Sequence, residues 1–254
     1  MMAKENLGKY WDVSWNPLVI KGGGYHCTKI SPGCLNCWAE GYNLRFHNKT
    51  PYDNSDVEFV LNEKVLARPL RWQKPRTIFV CDLCDLFHEK VPFEFQVDVV
   101  NIAYEADCHK HLFLTKRAKE LLLFSRRLQN SKYNIPFGES MYFGTTICNQ
   151  AEKPKGDILR TIPAAERWWS IEPLLENLGY LNLEGVDWLV VGCESLPGGK
   201  AGRFQDGYDE AALSVIQQCQ AAGVKVYHKQ RPVNGRVSHD MAEWPEELRV
   251  RDGF

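Results

Sequence analysis

Three cysteines stand within eleven residues, in Cys27-Thr-Lys-Ile-Ser-Pro-Gly-Cys34-Leu-Asn-Cys37. Three thiolates at this spacing can each take one iron of a cubane cluster and leave the fourth iron open to a further ligand. A structural zinc ion instead closes its shell with four protein ligands, for which His26 or His47 would have to complete the set. Buried thiols without metal are a third reading, and the least expected one for cysteines this crowded. An iron–sulfur cluster is the favoured assignment. Pro32-Gly33 supplies a turn inside the loop, and Gly22-Gly23-Gly24 gives its entry segment freedom to wrap a cluster.

The chain has nine cysteines, an odd number, and no apolar leader at its start. A reducing cytoplasm is therefore expected, where thiols serve as ligands or core residues instead of disulfides. Cys81 and Cys84 form a second Cys-x-x-Cys, but a second metal site would need partners from Cys108, Cys148, Cys193 or Cys219. Buried thiols are the default for that pair. Lys and Arg number 31 against 32 Asp and Glu, a net charge of −1. No global basic field marks a duplex-binding protein. A local basic stretch, Arg45, Lys49, Arg68, Arg71, Lys74 and Arg76 with Trp72 among them, is either a phosphate contact or a solvated face. No apolar run approaches membrane-spanning length, so no membrane partner is expected.

These groups need a scaffold. Continuous apolar runs recur at Thr77–Asp82, His111–Arg117, Met141–Ile147, Arg167–Glu172, Asp187–Glu194 and Val224–Gln230, with a shorter one at Val13–Trp15. Such runs read as strands buried on both faces. Helical spacing fills Pro92–Cys108, Ala118–Leu128 and Asp209–Ala222, the last ending at Gly223, and a helix is expected from the third cysteine through Asn43–His47. Strand–helix alternation predicts an α/β fold, a full or partial (β/α) barrel of the TIM type with six to eight units. One domain spans residues 1–254, with a cluster loop at 22–40 and a C-terminal extension from about 231. An open doubly wound sheet is the alternative, although no Gly-rich phosphate turn follows the first strand.

Functional groups of parallel barrels gather at the carboxyl ends of the strands. Those ends are polar here: Asp82 and Asp85; Thr115, Lys116 and Arg117; Thr145, Thr146 and Asn149; Ser170 and Glu172; Gly192, Glu194 and Ser195; His228, Lys229 and Gln230. The pair Trp168-Trp169 reads as core, with stacking on a base as the sharper alternative.

Along the chain, Trp15-Asn-Pro17, Cys27 to Glu40, Cys84-Asp-Leu-Phe-His88, Leu114-Thr-Lys-Arg117, Ser170-Ile-Glu-Pro-Leu174, Val190-Val-Gly-Cys-Glu-Ser195, Gln218-Cys-Gln-Ala-Ala-Gly223 and Lys229-Gln230 occur in order. This set resembles a phage-encoded three-cysteine family of unknown function that is similar to divergent radical S-adenosylmethionine (SAM) enzymes. The six-residue first gap is wider than the usual three. Asn36 stands where an aromatic residue is common, and Trp38 follows the third cysteine.

The resemblance implies a [4Fe–4S] cluster on Cys27, Cys34 and Cys37, with SAM chelated at the open iron. Reductive cleavage of SAM would give a 5′-deoxyadenosyl radical that abstracts hydrogen from substrate. By the same implication Asp85 faces the ammonium of SAM, Thr115, Lys116 and Arg117 its carboxylate, and Ser170 and Glu172 its ribose. Glu194, Ser195, Lys229 and Gln230 are left for substrate. The expected reaction is isomerisation of a modified base, such as a hypermodified thymidine in phage DNA, inside the host cytoplasm. A reductant such as a flavodoxin would be a partner. A DNA photoproduct lyase of the radical SAM type is one alternative, and a non-catalytic zinc module that binds nucleic acid or protein is the other.

Overall fold

The computed structural model describes residues 8–133 and 135–253. Its strands, in chain order, are β1 (Val13–Trp15), β2 (Leu18–Ile20), β3 (Phe59–Leu61), β4 (Thr77–Val80), β5 (Lys110–Thr115) and β6 (Met141–Thr146), then β7 (Glu166–Ile171), β8 (Trp188–Gly192), β9 (Ser195–Leu196), β10 (Lys200–Ala201), β11 (Lys225–Val233) and β12 (Arg236–Ser238). The helices are α1 (Trp38–Phe46), α2 (Glu63–Leu66), α3 (Phe93–Glu105), α4 (Ala118–Gln129), α5 (Pro154–Arg160) and α6 (Tyr208–Ala222). Each apolar run expected to be a strand is one, and the four anticipated helices form. Gly223 ends α6 with φ +70°, a backbone state that lacks the Cβ penalty only for glycine.

Among the described residues ten strands form one sheet in the order β1-β4-β5-β6-β7-β8-β11-β12-β10-β9. Every pairing from β1 through to β11 is parallel, and the rest are antiparallel. The fold is thus mixed α/β around a large, mostly parallel sheet. Strand order never reverses between β1 and β11, so the doubly wound alternative does not hold.

The sheet curls strongly. Tyr10, just ahead of β1, places its ring 6.3 Å from Phe79 on β4 and 5.6 Å from Tyr227 on β11, five strand intervals apart in the sheet. Trp168 and Trp188 join them at 6.2 Å and 5.2 Å from Tyr10. The concave face is therefore floored by aromatic rings. Larger apolar groups of α3, α4 and α6 cover the convex face, where Phe113 stacks on Phe143 at 4.8 Å.

A closed barrel, the fuller of the two expected forms, is not what the described residues make. β1 and β11 do not pair. The reason is chemical: the free edge of β11 is already occupied. His228 N donates to Val250 O and Asp252 N to Val226 O, while Arg231–Val233 pairs with β12 across the Asn234-Gly235 hairpin turn. The C-terminal segment therefore acts as an edge cover, satisfying groups that closure would need. Tyr10 and Trp11 fill the remaining gap, with the Lys229 ammonium 5.9 Å and 5.7 Å from their ring centres.

Gly144 on β6 lies flush against the indole of Trp168; an added Cβ would come within 2.5 Å of the ring. Gly144→Ala should cost about 1–3 kcal/mol through overpacking. Gly41→Ala, inside α1 with open space around it, should instead stabilise by about 0.5–1 kcal/mol. Urea unfolding of the two variants would test this opposition of sign.

Burial lowers the pKa of His111 to about 3 and of His228 to about 4. In the unfolded chain both titrate near the ordinary value of about 6.5. Between those limits the unfolded state binds protons that the folded state refuses. Stability is therefore full above about pH 7 and falls as pH drops from about 6.5 to 4. The urea midpoint should follow that course; a midpoint flat across the window would contradict it.

Candidate functional site

The cysteine loop crosses the carboxyl ends of the parallel strands. Ser31 Oγ accepts the Gly33 amide at 3.2 Å and starts a single 3-10 turn at Pro32–Cys34, and Cys37 then sits at the head of α1. Cys34 is buried, and Cys27 and Cys37 are half-buried. Gly33 packs against Cys148, whose sulfur lies 2.4 Å from where a Cβ would stand, so only glycine fits there. The triple glycine at 22–24 closes a turn after β2, Gly23 N donating to Ile20 O and Ile20 N to Gly24 O. Its role is to fold the chain back, with no contact to the three sulfurs recorded.

One clamp holds the Cys27 end. The Arg117 guanidinium, 4% exposed, donates through Nε to Glu89 (2.8 Å), through Nη1 to Asp85 (3.3 Å) and toward Cys27 Sγ (3.6 Å), and through Nη2 to Thr28 O (3.1 Å) and Oγ1 (2.6 Å). Asp85 in turn accepts from Thr115 Oγ1 at 2.8 Å, Phe87 N at 3.0 Å and Lys116 N at 3.2 Å. His88 Nδ1 accepts from Lys90 N, which leaves the proton on Nε2 beside Thr28 Oγ1 at 3.0 Å. Burial, with Arg117 next, lowers the pKa of that imidazole to about 4. The Cys27 thiol is pushed up to about 12 by burial and then by Asp85, with Arg117 opposing and Cys37 and Cys34 adding to the rise.

A second clamp holds the Cys34 end. Arg203 donates through N and Nε to Glu194 Oε2, both at 2.9 Å, and through Nη2 to Glu194 Oε1 and Pro32 O. Asn36 Nδ2 donates to the same carboxylate at 3.1 Å. Glu194, expected at a substrate, instead ties the loop to the end of β8.

Beneath the loop, the concave face of the sheet carries polar side chains toward the strand ends, above its aromatic floor. Strand alternation turns Thr146, Ser170 and Glu172 to the same face as Gly144 and Trp168. Thr146 Oγ1 is buried without a hydrogen-bond partner. Glu172 accepts from Lys229 Nζ at 2.5 Å and Gln230 Nε2 at 3.3 Å. Burial opposes the charge on Lys116, yet Cys34, Cys148 and Cys37 outweigh it and hold the pKa above the ordinary lysine range. After β4, Asp82 accepts from Ser14 Oγ at 2.5 Å and Asn16 Nδ2 at 2.6 Å. Burial raises the pKa of Asp82 against those two bonds.

The fold thus brings Cys27, Cys34, Cys37, Asp85, Thr115, Lys116, Arg117, Ser170, Glu172, Glu194, Lys229 and Gln230 to one rim. It leaves out Ser195, which is exposed on β9. Asn16, Asn36, Glu89, Cys148 and Arg203 belong to the site without having been singled out as site residues in the sequence. Of these, Asn16 and Asn36 stood within the ordered motifs and Cys148 among the cysteines weighed for a second metal site, whereas Glu89 and Arg203 carried no signal. His47 lies at the far end of α1, against the rings of Tyr25 and Tyr42, and His26 is buried among Tyr52, Phe59 and His88. Among the described residues no three His, Cys, Asp or Glu side chains are grouped to hold a metal ion. Hydrogen bonding with Cys81 and burial keep the Cys84 thiol pKa well above the usual range. Trp168 and Trp169 are both buried on opposite faces of β7, against Gly144 and Gly156 respectively. The basic stretch is divided: Arg76 precedes β4 at the opposite end of the sheet from Arg45. A cavity of about 760 Å³ also opens at that opposite end, between the 180–187 segment and the end of α6, and no cysteine lines it.

Arg117→Lys removes the fork that spans Thr28, Glu89 and Asp85, which an ammonium cannot reproduce. Charge-assisted bonds of this kind contribute about 1.5–3 kcal/mol. Hydrogen exchange at residues 27–29 should therefore accelerate at least about tenfold, with α6 unchanged. Equal acceleration in both regions would mean global destabilisation, contrary to a local clamp.

Among the described residues no helix is long and apolar enough to cross a membrane. Neither the curated proteins nor the solved structures contain a match to this chain. A family model described as "Protein of unknown function (DUF5131)" matches residues 8–245, from ahead of β1 to beyond β12. With so much of the chain covered, this protein is a member of the DUF5131 family.

Proposed function

We propose that this protein is a radical SAM enzyme, built as a partial (β/α) barrel, that binds a [4Fe–4S] cluster on Cys27, Cys34 and Cys37 and SAM in the concavity beneath. The observation that carries the reading is a three-cysteine loop clamped by two buried or half-buried arginine networks across the polar carboxyl ends of seven parallel strands. The donor set fits such a group. Three thiolates on one cubane occupy three different irons, so they need not converge on one ion, whereas a zinc site must. Lys116 and Arg117 offset the negative charge that three thiolates bring, and metal ligation would deprotonate a thiol such as Cys27 that is otherwise held neutral.

When bound, the cluster and SAM would supply one-electron cleavage of the sulfonium and a carbon radical able to attack unactivated C–H bonds. The chain's own groups do the rest. Asp85 and Thr115 position Arg117 and the Cys27 end of the loop. Lys116, beside Cys34, Cys148 and Gly33, would supply a cation for the carboxylate of SAM. Ser170 and Glu172 offer acceptors for ribose hydroxyls, with Glu172 oriented by Lys229 and Gln230. Asp82, held by Ser14 and Asn16, presents an acceptor for N–H groups of the substrate from the other wall. Tyr10, Trp11 and Trp168 close the bottom and keep water from a reactive radical. We assign the reaction to isomerisation of a modified base, such as a hypermodified thymidine of phage DNA, in the host cytoplasm with a flavodoxin-type reductant.

Anaerobically reconstituted protein should be brown and carry about four irons and four sulfides per chain. Cys27→Ala, Cys34→Ala or Cys37→Ala should each abolish the charge-transfer absorbance, and Cys108→Ala should leave it intact. Reduction with dithionite and SAM should release 5′-deoxyadenosine. Colourless protein with one zinc per chain would overturn the assignment.

A further inference from the structure

Six of the eleven exposed large apolar side chains among the described residues come from one short segment: Ile30, Leu35, Trp38, Tyr42, Leu44 and Phe46. That concentration is not scatter, and it sits on the cysteine loop and α1. The helix is inverted relative to an ordinary surface helix, which turns its apolar stripe to the core. Its buried residues are only Ala39 and Asn43. Asn43 anchors it with polar bonds: Oδ1 accepts from Tyr25 N at 2.9 Å, and Nδ2 donates to Asn48 Oδ1 and Thr50 O, both at 3.0 Å. Glu40 also turns inward, to Tyr52 N at 3.0 Å and Lys29 at 2.6 Å.

What faces solvent is Trp38 (56% exposed), Tyr42 (42%) and Phe46 (57%). Their spacing of four places them in one stripe, about 6 Å apart along the axis. The Arg45 guanidinium lies 4.9 Å from the Phe46 ring centre. Because the Glu40 carboxylate is tied inward, the charge this stripe presents is positive. Exposed apolar patches of this kind mark interaction sites.

We propose that the Trp38–Tyr42–Phe46 stripe is a stacking platform for single-stranded nucleic acid, leading a polymer substrate to the cysteine loop at Cys37. Aromatic faces with an interleaved guanidinium match a strand of bases and phosphates: every base has a face to stack, and Arg45 complements the backbone charge. A second copy of the chain docked through the same face would set Arg45 against Arg45. The inference rests on the nucleic-acid substrate reading above and deepens it, assigning a single strand in place of a duplex.

Fluorescence anisotropy with a labelled oligo(dT) single strand tests it in the intact protein. The single strand should bind more tightly than a duplex of the same length. Trp38→Ala, Tyr42→Ala and Phe46→Ala should each weaken binding about fivefold or more, the lower end of what base–aromatic stacking contributes. Arg45→Gln should weaken it and flatten the salt dependence. All four side chains are exposed, so circular dichroism and SAM cleavage without nucleic acid should be unchanged. Unaltered affinity in the three aromatic variants would overturn the proposal. So would slower reduction by a flavodoxin with DNA binding intact, or a change in sedimentation showing that the stripe joins two copies. A protein that lacks the cluster but still binds oligo(dT) through the stripe would defeat the radical reading alone, because the readout here is binding.

Discussion

The buried Arg117 guanidinium is the interaction on which the site depends. It follows β5, yet its partners lie on the cysteine loop (Thr28, Cys27) and after β4 (Asp85, Glu89). A planar fork with its donors directed outward is the one side chain that can join three chain segments at once. Its charge is met by Asp85, and Asp85 is itself saturated by Thr115 and two backbone amides. Breaking a buried pair of this kind leaves an uncompensated charge, which costs several kcal/mol. The network is therefore all or nothing. That property fixes the Cys27 end of the loop to the sheet.

Curvature of the sheet is the second constraint, and it comes from what the edges do. A parallel sheet of seven strands carries a twist that brings its ends toward each other. Here the approach stops short because residues 250–252 and β12 already satisfy the edge of β11. The gap is filled from the side by Tyr10 and Trp11, whose rings touch residues of strands far apart in the sheet. An aromatic plug thus stands in place of hydrogen-bonded closure. Ser14, Asp82, Thr146, Ser170 and Lys229 can then project into one space.

Much of this was legible from residues alone. Strands buried on both faces read as continuous apolar runs, so β4 to β8 and β11 announced themselves, and so did the polar residues at their ends. The edge cover was not legible, since Val250 and Asp252 pair through backbone atoms that carry no side-chain pattern. Arg203 was invisible for a related reason: it follows two-residue strands and gains its meaning only from Glu194 across a turn. Ser195 misled because it neighbours Glu194 in sequence, whereas strand alternation and the start of β9 turn it to solvent. The basic stretch misled likewise. Arg45 and Arg76 are near in sequence, but Arg76 enters β4 from the end opposite the one at which Asp82 leaves it.

The six-residue gap between Cys27 and Cys34 has a physical account in these contacts. Thr28 is tied to Arg117 after β5, and Pro32 O to Arg203, which is bound to Glu194 after β8. Between those anchors Ser31 caps the turn and Gly33 lies against Cys148 after β6. The loop is therefore fastened to groups that follow β5, β6 and β8. The extra residues do not form a slack insertion. They carry the anchors by which one loop is fastened at both ends, with its polar atoms spent on the clamps below and its apolar side chains, Ile30, Leu35 and Trp38, left facing outward.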